Sequence, residues 1–166
     1  GQNKPVQQAS GVGQHRPNGI IRKKLSRNAR RRQAKKVSNV SELLMGMSLG
    51  LALDGKIPIS IFPRWNFLLC GINQLVNHID KVDVMANGGF RPKIIIRTGI
   101  GSVTPLHPQH QHVGDFSEAV QAMCSTVEVI RLEEPEEIFP AYQKAFLRDD
   151  WRTTICVEYG DYYNQK

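Results

Sequence analysis

Three places in this sequence hold residue types and spacings that could do chemistry. After the apolar run Ile94-Ile95-Ile96 comes Thr98-Gly99-Ile100-Gly101, then a Pro-rich stretch carrying His107, His110 and His112. Glycines there let a ligand approach the backbone closely. A histidine in a loop at a strand end is placed to donate to an anionic or carbonyl substrate. Near-alternate histidines also suggest zinc, but zinc needs further ligands, and no Cys or acid stands at a usual spacing beside them. The donor reading is therefore preferred, no metal site is expected, and surface histidines without a role are the plain alternative. Glu42 is the first acid in the chain and opens an apolar stretch. Its plain reading is a helix-dipole carboxylate, worth about 0.3–1 kcal/mol. Trp65, just past a strand end, is either an ordinary core aromatic or a plate for a flat ring.

Other chemistries find no support. No P-loop, dinucleotide-binding fingerprint, nucleophile elbow or paired-cysteine zinc motif occurs. Cys70, Cys124 and Cys156 are odd in number, widely spaced and set among apolar residues. Buried free thiols in a reducing compartment are the expectation.

The elements that must position these residues follow from periodicity. Ser38, Asn39 or Ser41 can cap a helix that starts near Glu42 and ends at Asp54-Gly55. Its apolar residues run nearly all round, so it is expected to be buried. Gly46 and Gly50 lie four apart, which suggests that another backbone packs close to that face, because each glycine costs a helix about 1 kcal/mol. A strand over 57–62, a helix over 67–80, a strand over 93–97, a helix over 116–124, a strand over 127–130, a helix over 135–148 and a strand over 153–157 follow. The alternation predicts an α/β fold, a parallel sheet with helices on both faces. Ligands in such sheets sit beyond the carboxyl ends of the strands, here residues 63–66, 98–114 and 158–163.

The net charge of +7 is unevenly spread. Residues 1–41 hold eleven Lys/Arg and no acid, and the remainder carries −4. This divides the chain into a basic arm, 1–40, flexible or ordered by a partner, and a domain, 41–166. The basic run at 22–36 could attract RNA or an acidic partner. No aromatic residue is interleaved there to stack a base, so a solvated arm is the preferred reading. No run of eighteen apolar residues exists, and no membrane span is expected.

Several stretches resemble one family. Ser41-Glu42, Met45-Gly46-Met47-Ser48-Leu49-Gly50 and Asp54-Gly55 resemble the segment of transketolase-like pyrimidine-binding domains that carries their catalytic glutamate. Phe62-Pro63-Arg64-Trp65-Asn66-Phe67 and Asn73-Gln74-Leu75-Val76-Asn77 are similar to a segment of 2-oxo acid dehydrogenase beta subunits. Met85-Ala86-Asn87-Gly88-Gly89, Pro108-Gln109-His110-Gln111, Leu147-Arg148-Asp149-Asp150 and Val157-Glu158 continue the likeness over about residues 40–163.

The resemblance implies the thiamine-diphosphate-binding fold, in a truncated form. It implies a subunit acting on a 2-oxo acid, with thiamine diphosphate and magnesium as cofactors. The magnesium would be held by an alpha-type partner chain, since the Gly-Asp-Gly motif for it is absent here. In that family the glutamate bonds a ring nitrogen of the cofactor's aminopyrimidine and so promotes loss of a proton from its thiazolium carbon. By matching position Glu42 would be that acid, and His110 the loop group near the substrate. Trp65, Leu44 and Asn66 would adjoin the cofactor. A homo- or hetero-oligomer, in the cytoplasm or a mitochondrial matrix, is implied. The interval from Glu42 to Gly50 is one residue shorter than usual, so an ungapped match puts Ser41 at the glutamate position. The family's first strand is not recognisable in residues 1–20. These departures point to the alternative, a catalytically degenerate scaffold whose basic arm binds RNA or an acidic partner.

Overall fold

The computed structural model describes residues 27–101 and 107–164. Four strands form one sheet: β1 (Ile59–Ile61), β2 (Ile95–Ile100), β3 (Glu128–Leu132) and β4 (Thr154–Tyr159). Their order is β1-β2-β4-β3, and every neighbouring pair is parallel. The apolar run Ile94-Ile95-Ile96 is fully buried, as a strand covered on both faces must be. Register puts Ser60, Ile96, Ile155 and Val129 on one face, and Ile61, Arg97, Cys156 and Ile130 on the other.

Helices cover both faces. Helix α1 (Arg27–Leu53) lies on the Ser60 face, where Ser48 Oγ and Ser60 Oγ are 2.6 Å apart. After β1 come α2 (Trp65–Leu69), a π-helical segment (Gln74–Ile79) that packs on α1, and α3 (Val82–Met85). Helix α4 (Ser117–Met123) packs on β3. Helix α5 (Ile138–Leu147) lies on the opposite face, and its Tyr142 reaches Glu158 on β4. Ahead of α5, the Glu137 carboxylate accepts from the backbone N–H groups of Glu133 and Glu134 and so caps the 3-10 turn Pro135–Glu137 that leads into the helix.

Four expectations need correction. Helix α1 is already formed at Arg27, fifteen residues before Glu42, so Ser38, Asn39 and Ser41 lie inside the helix and not at its start. Arg and Lys are good helix formers, and a basic run need not end a helix. Nor is α1 buried all round: Leu43, Met47, Leu51 and Leu53 are exposed, because no other described element of this chain covers that side. A Cβ built at Gly46 or Gly50 would meet nothing within 4 Å, so no described backbone of this chain packs there. The close approach belongs to Gly71, whose Cβ would lie 3.1 Å from the Ser41 carbonyl oxygen and 3.3 Å from Met45 Cγ. Finally, the single helix expected over 67–80 is a short helix, a turn and a π-helical segment.

One buried carboxylate joins distant parts of the chain. Asp80, wholly buried at the end of the π-helical segment, accepts from the backbone N–H groups of Ser125, Thr126 and Val127 at 2.8, 2.6 and 3.2 Å. Thr126 Oγ1, Ser125 Oγ and Lys81 Nζ add bonds at 3.0, 3.1 and 2.6 Å. Burial alone would push this carboxyl up, but Lys81 and the Thr126 and Val127 donors hold it well below the usual range. The loop that leads into β3 is thereby fixed to the helical layer.

The cysteines are free, with Cys124 and Cys156 buried and Cys70 half-buried. Burial pushes the first two thiols up, to about 11 and about 12. No helix among the described residues is long and apolar enough to cross a membrane.

Candidate functional site

The carboxyl ends of β1, β2 and β4 lie side by side, and the segments leaving them are tied together. Arg64, directly after β1, donates from Nη1 to the Gly101 carbonyl at 2.5 Å and to the His112 carbonyl at 2.9 Å. The Phe67 ring stacks on the His112 ring at 5.4 Å between centroids, 12° from parallel. Gly99 lies between β1 and β4; a Cβ there would be 3.2 Å from the Pro63 oxygen and 3.5 Å from the Glu158 oxygen. Only glycine lets the three strands close up at this point.

Glu158, at the same end of β4, is almost fully buried. It accepts from Arg97 Nε at 3.0 Å and Nη2 at 2.8 Å, and from the Tyr142 hydroxyl at 2.5 Å. The fork geometry of the guanidinium suits a carboxylate. Burial, then the bond to Glu158, pushes the Tyr142 phenol well above its ordinary range, so it stays protonated and donates. The trio links β2, β4 and α5.

This end also collects buried polar atoms without a hydrogen-bond partner among the described residues: Trp65 Nε1, Asn66 Oδ1, Thr98 Oγ1 and His112 Nδ1. Native structures leave few such atoms unpaired, and each calls for an explanation. Four of them around the ends of β1 and β2 mark the part of the molecule where polar partners are wanting.

The residues singled out from sequence fall in two groups. Trp65, Asn66 and His110 belong to the carboxyl end just described. Trp65 is fully buried, the placement of a core aromatic, and Asn66 is half-buried. His110 is exposed and opens a short turn, His110–His112, behind Gln109. Glu42 and Leu44 lie apart from these, on α1. Leu44 packs partly against the core. Glu42 is half-exposed and lines an open groove of about 650 Å³ with Leu43, Gly46, Met47 and Gln74. None of Trp65, Asn66 or His110 lines that groove. The turn after Leu53 reverses the chain, so α1 runs counter to β1. Glu42 stands six residues before Ser48, which is level with Ser60, and so lies about 9 Å toward the carboxyl end of the sheet.

Ser41, the ungapped match to the family's glutamate, is buried against the turn at Gly71. One residue along a helix is about 100° of rotation, enough to bring Glu42 out of the core. Among the described residues, no three His, Cys, Asp or Glu side chains gather as metal ligands would.

The sequence does not single out the tie made by Arg64, nor Tyr142 within its predicted helix. Their partners are 37 and 16 or more residues away, so no local pattern could reveal them.

No family model matches the chain. Two curated relatives do. The beta subunit of the pyruvate dehydrogenase E1 component, mitochondrial, of Ascaris suum is 32% identical over 123 residues, 74% of this chain and 33% of the relative. The protein of the same description from Caenorhabditis elegans is 31% identical over 105 residues, 63% of this chain and 29% of the relative. The chain thus spans about a third of the length of these relatives. Shared sequence and the all-parallel sheet agree: the chain is a 2-oxo acid dehydrogenase beta-subunit-like domain and belongs to the thiamine-diphosphate enzyme family.

Proposed function

We propose that this chain is the pyrimidine-binding part of a thiamine-diphosphate-dependent enzyme acting on a 2-oxo acid, and that it works only with a diphosphate-binding, alpha-type partner. One observation carries the reading: Glu42 faces an open groove at the carboxyl-end side of the sheet, a groove that the described part of this chain does not close. On this reading a second chain completes it.

The residues present fit the cofactor's ring in chemical type. A carboxyl from Glu42 and an amide from Gln74 can donate to and accept from an aminopyrimidine. Glycine at Gly46 leaves room beside them. When bound, the cofactor supplies a carbanion equivalent that adds to the carbonyl carbon of a 2-oxo acid. Glu42 hydrogen-bonds a ring nitrogen of the cofactor. His110 is the exposed donor for the substrate's anionic or carbonyl oxygen. Asn66, whose amide oxygen has no partner among the described residues, and the buried Trp65 stand with His110 at the strand ends, while Leu44 stands with Glu42 on α1. Magnesium is assigned to the partner.

Reconstitution tests this. The chain, the alpha-type partner, thiamine diphosphate and magnesium should together decarboxylate pyruvate, and neither chain alone should. Glu42→Ala should abolish turnover and leave the far-UV circular dichroism unchanged. Full turnover by Glu42→Ala would reject the assigned role.

A second reading is favoured by the ungapped sequence match, which puts Ser41 and not an acid at the family's glutamate position. It holds the chain to be a scaffold of the same fold whose basic segment, residues 22–36, binds RNA or an acidic partner. Filter binding to RNA over a salt series decides; no binding at low salt excludes the RNA form.

A further inference from the structure

One side chain ties the carboxyl end of the sheet together, and the likeness to the beta subunits gives it no role. Arg64 Nη1 donates to carbonyls from two separate segments, Gly101 at the end of β2 and His112 in the turn beyond it. Three residues on, Phe67 stacks on the His112 ring. Residue 112 is thus held through both its backbone and its side chain, and residue 101 through its backbone. Together they fix where the turn His110–His112 stands relative to the strand. A guanidinium is well suited to such a clasp. It is permanently charged, planar and rich in donors, and charged donors make the stronger hydrogen bonds.

The turn also stores strain. Gln109, just before it, has φ 65°, an unfavourable left-handed conformation for a residue with a side chain. Such conformations persist only where the surroundings over-determine them. The local bond from the Gln109 N–H to His107 Nδ1, 3.0 Å, is exposed and weak support by itself. The anchoring at His112 is the stronger constraint.

We propose that Arg64 is a positioning residue: its clasp on the Gly101 and His112 carbonyls sets the place and orientation in which His110 is presented. This rests on the reading of His110 as the loop group beside the substrate.

Two measurements test it, and the first does not depend on activity. In the isolated chain, Arg64→Met should speed amide exchange over residues 107–112 by about tenfold or more and leave exchange in α5 and β4 unchanged. It should also move the His110 ring resonance. Arg64→Lys can still donate to both carbonyls and should stay within about threefold of the wild type. If Arg64→Met raises exchange throughout the chain, Arg64→Gln, which keeps a donor, takes its place. In the enzyme reconstituted with its partner, Arg64→Met should lower kcat for pyruvate, and should lower it no further in a His110→Ala background. Unchanged exchange at 107–112, an unmoved His110 resonance, or independent multiplication of the two kinetic effects overturns the proposal. Absence of turnover in the wild-type mixture counts against the proposed function instead, and the exchange measurement then decides the part played by Arg64.

Discussion

Replacing Asp80 with alanine would strip six hydrogen bonds from a wholly buried carboxylate, three of them from the successive N–H groups of Ser125, Thr126 and Val127. A single hydrogen bond to a charged group is worth about 1.5–3 kcal/mol. The six do not add, because water can reach some of the donors once the carboxylate is gone. Breaking a buried charged network by removing one partner costs about 3–5 kcal/mol, and we expect a loss in that range. Lys81 contributes little of it, since its side chain is 43% exposed. Asp80→Asn keeps one acceptor oxygen and should lose about half as much as alanine. Urea unfolding followed by circular dichroism reads the effect. With a slope of about 2 kcal/mol/M, the alanine midpoint should fall by about 2 M at unchanged slope. A shift below about 0.5 M would refute the claim that Asp80 joins the β3 loop to the helical layer.

The same carboxylate gives an acid limit. Asp80 and Asp150 bind protons more weakly folded than unfolded; Asp150 is held at about 2, first by its bond to Arg148. Their contribution is complete above the unfolded value of about 3.9 and is lost as pH falls through the folded values. Stability from urea midpoints should be flat from about pH 7 to 5 and fall below about 4, with Asp80→Asn flattening the fall. Gly71→Ala should cost about 1–3 kcal/mol, because its Cβ would press on the backbone of α1 at Ser41. The two tryptophans should behave oppositely in thermal melts. Trp65→Ala should cost about 3–5 kcal/mol from the core. Trp151→Asn should cost less than about 1 kcal/mol, since Trp151 sits at φ 57°, which asparagine tolerates better.

What was legible in the sequence depended on how local its cause is. The strand through Ile94-Ile95-Ile96 could be read because a parallel strand covered on both faces needs an unbroken apolar run. The helix that follows Pro135 was legible too, because a proline is preorganised for a helix's first turn. The length of α1 was not, because its first turns are basic and charge says little about helicity. The exposed Leu43 and Met47 were misjudged because apolar periodicity tells which face wants a partner and not whether this chain supplies one. Asp80, Arg64 and Tyr142 act on residues far away in sequence, and only the fold brings those together. For the site, the sequence offered candidates at the strand ends and an acid on α1. It left open whether Glu42 or Ser41 stands at the glutamate position, a choice that turns on a single residue of helical phase.

Calorimetric titration of thiamine diphosphate and magnesium tests the central claim most directly. Saturable binding should appear only when this chain and its alpha-type partner are mixed, and should weaken about 10–100-fold with Glu42→Ala, the loss of one charged hydrogen bond. Equal affinity with and without the Glu42 carboxyl, or tight binding by the partner alone, would contradict it.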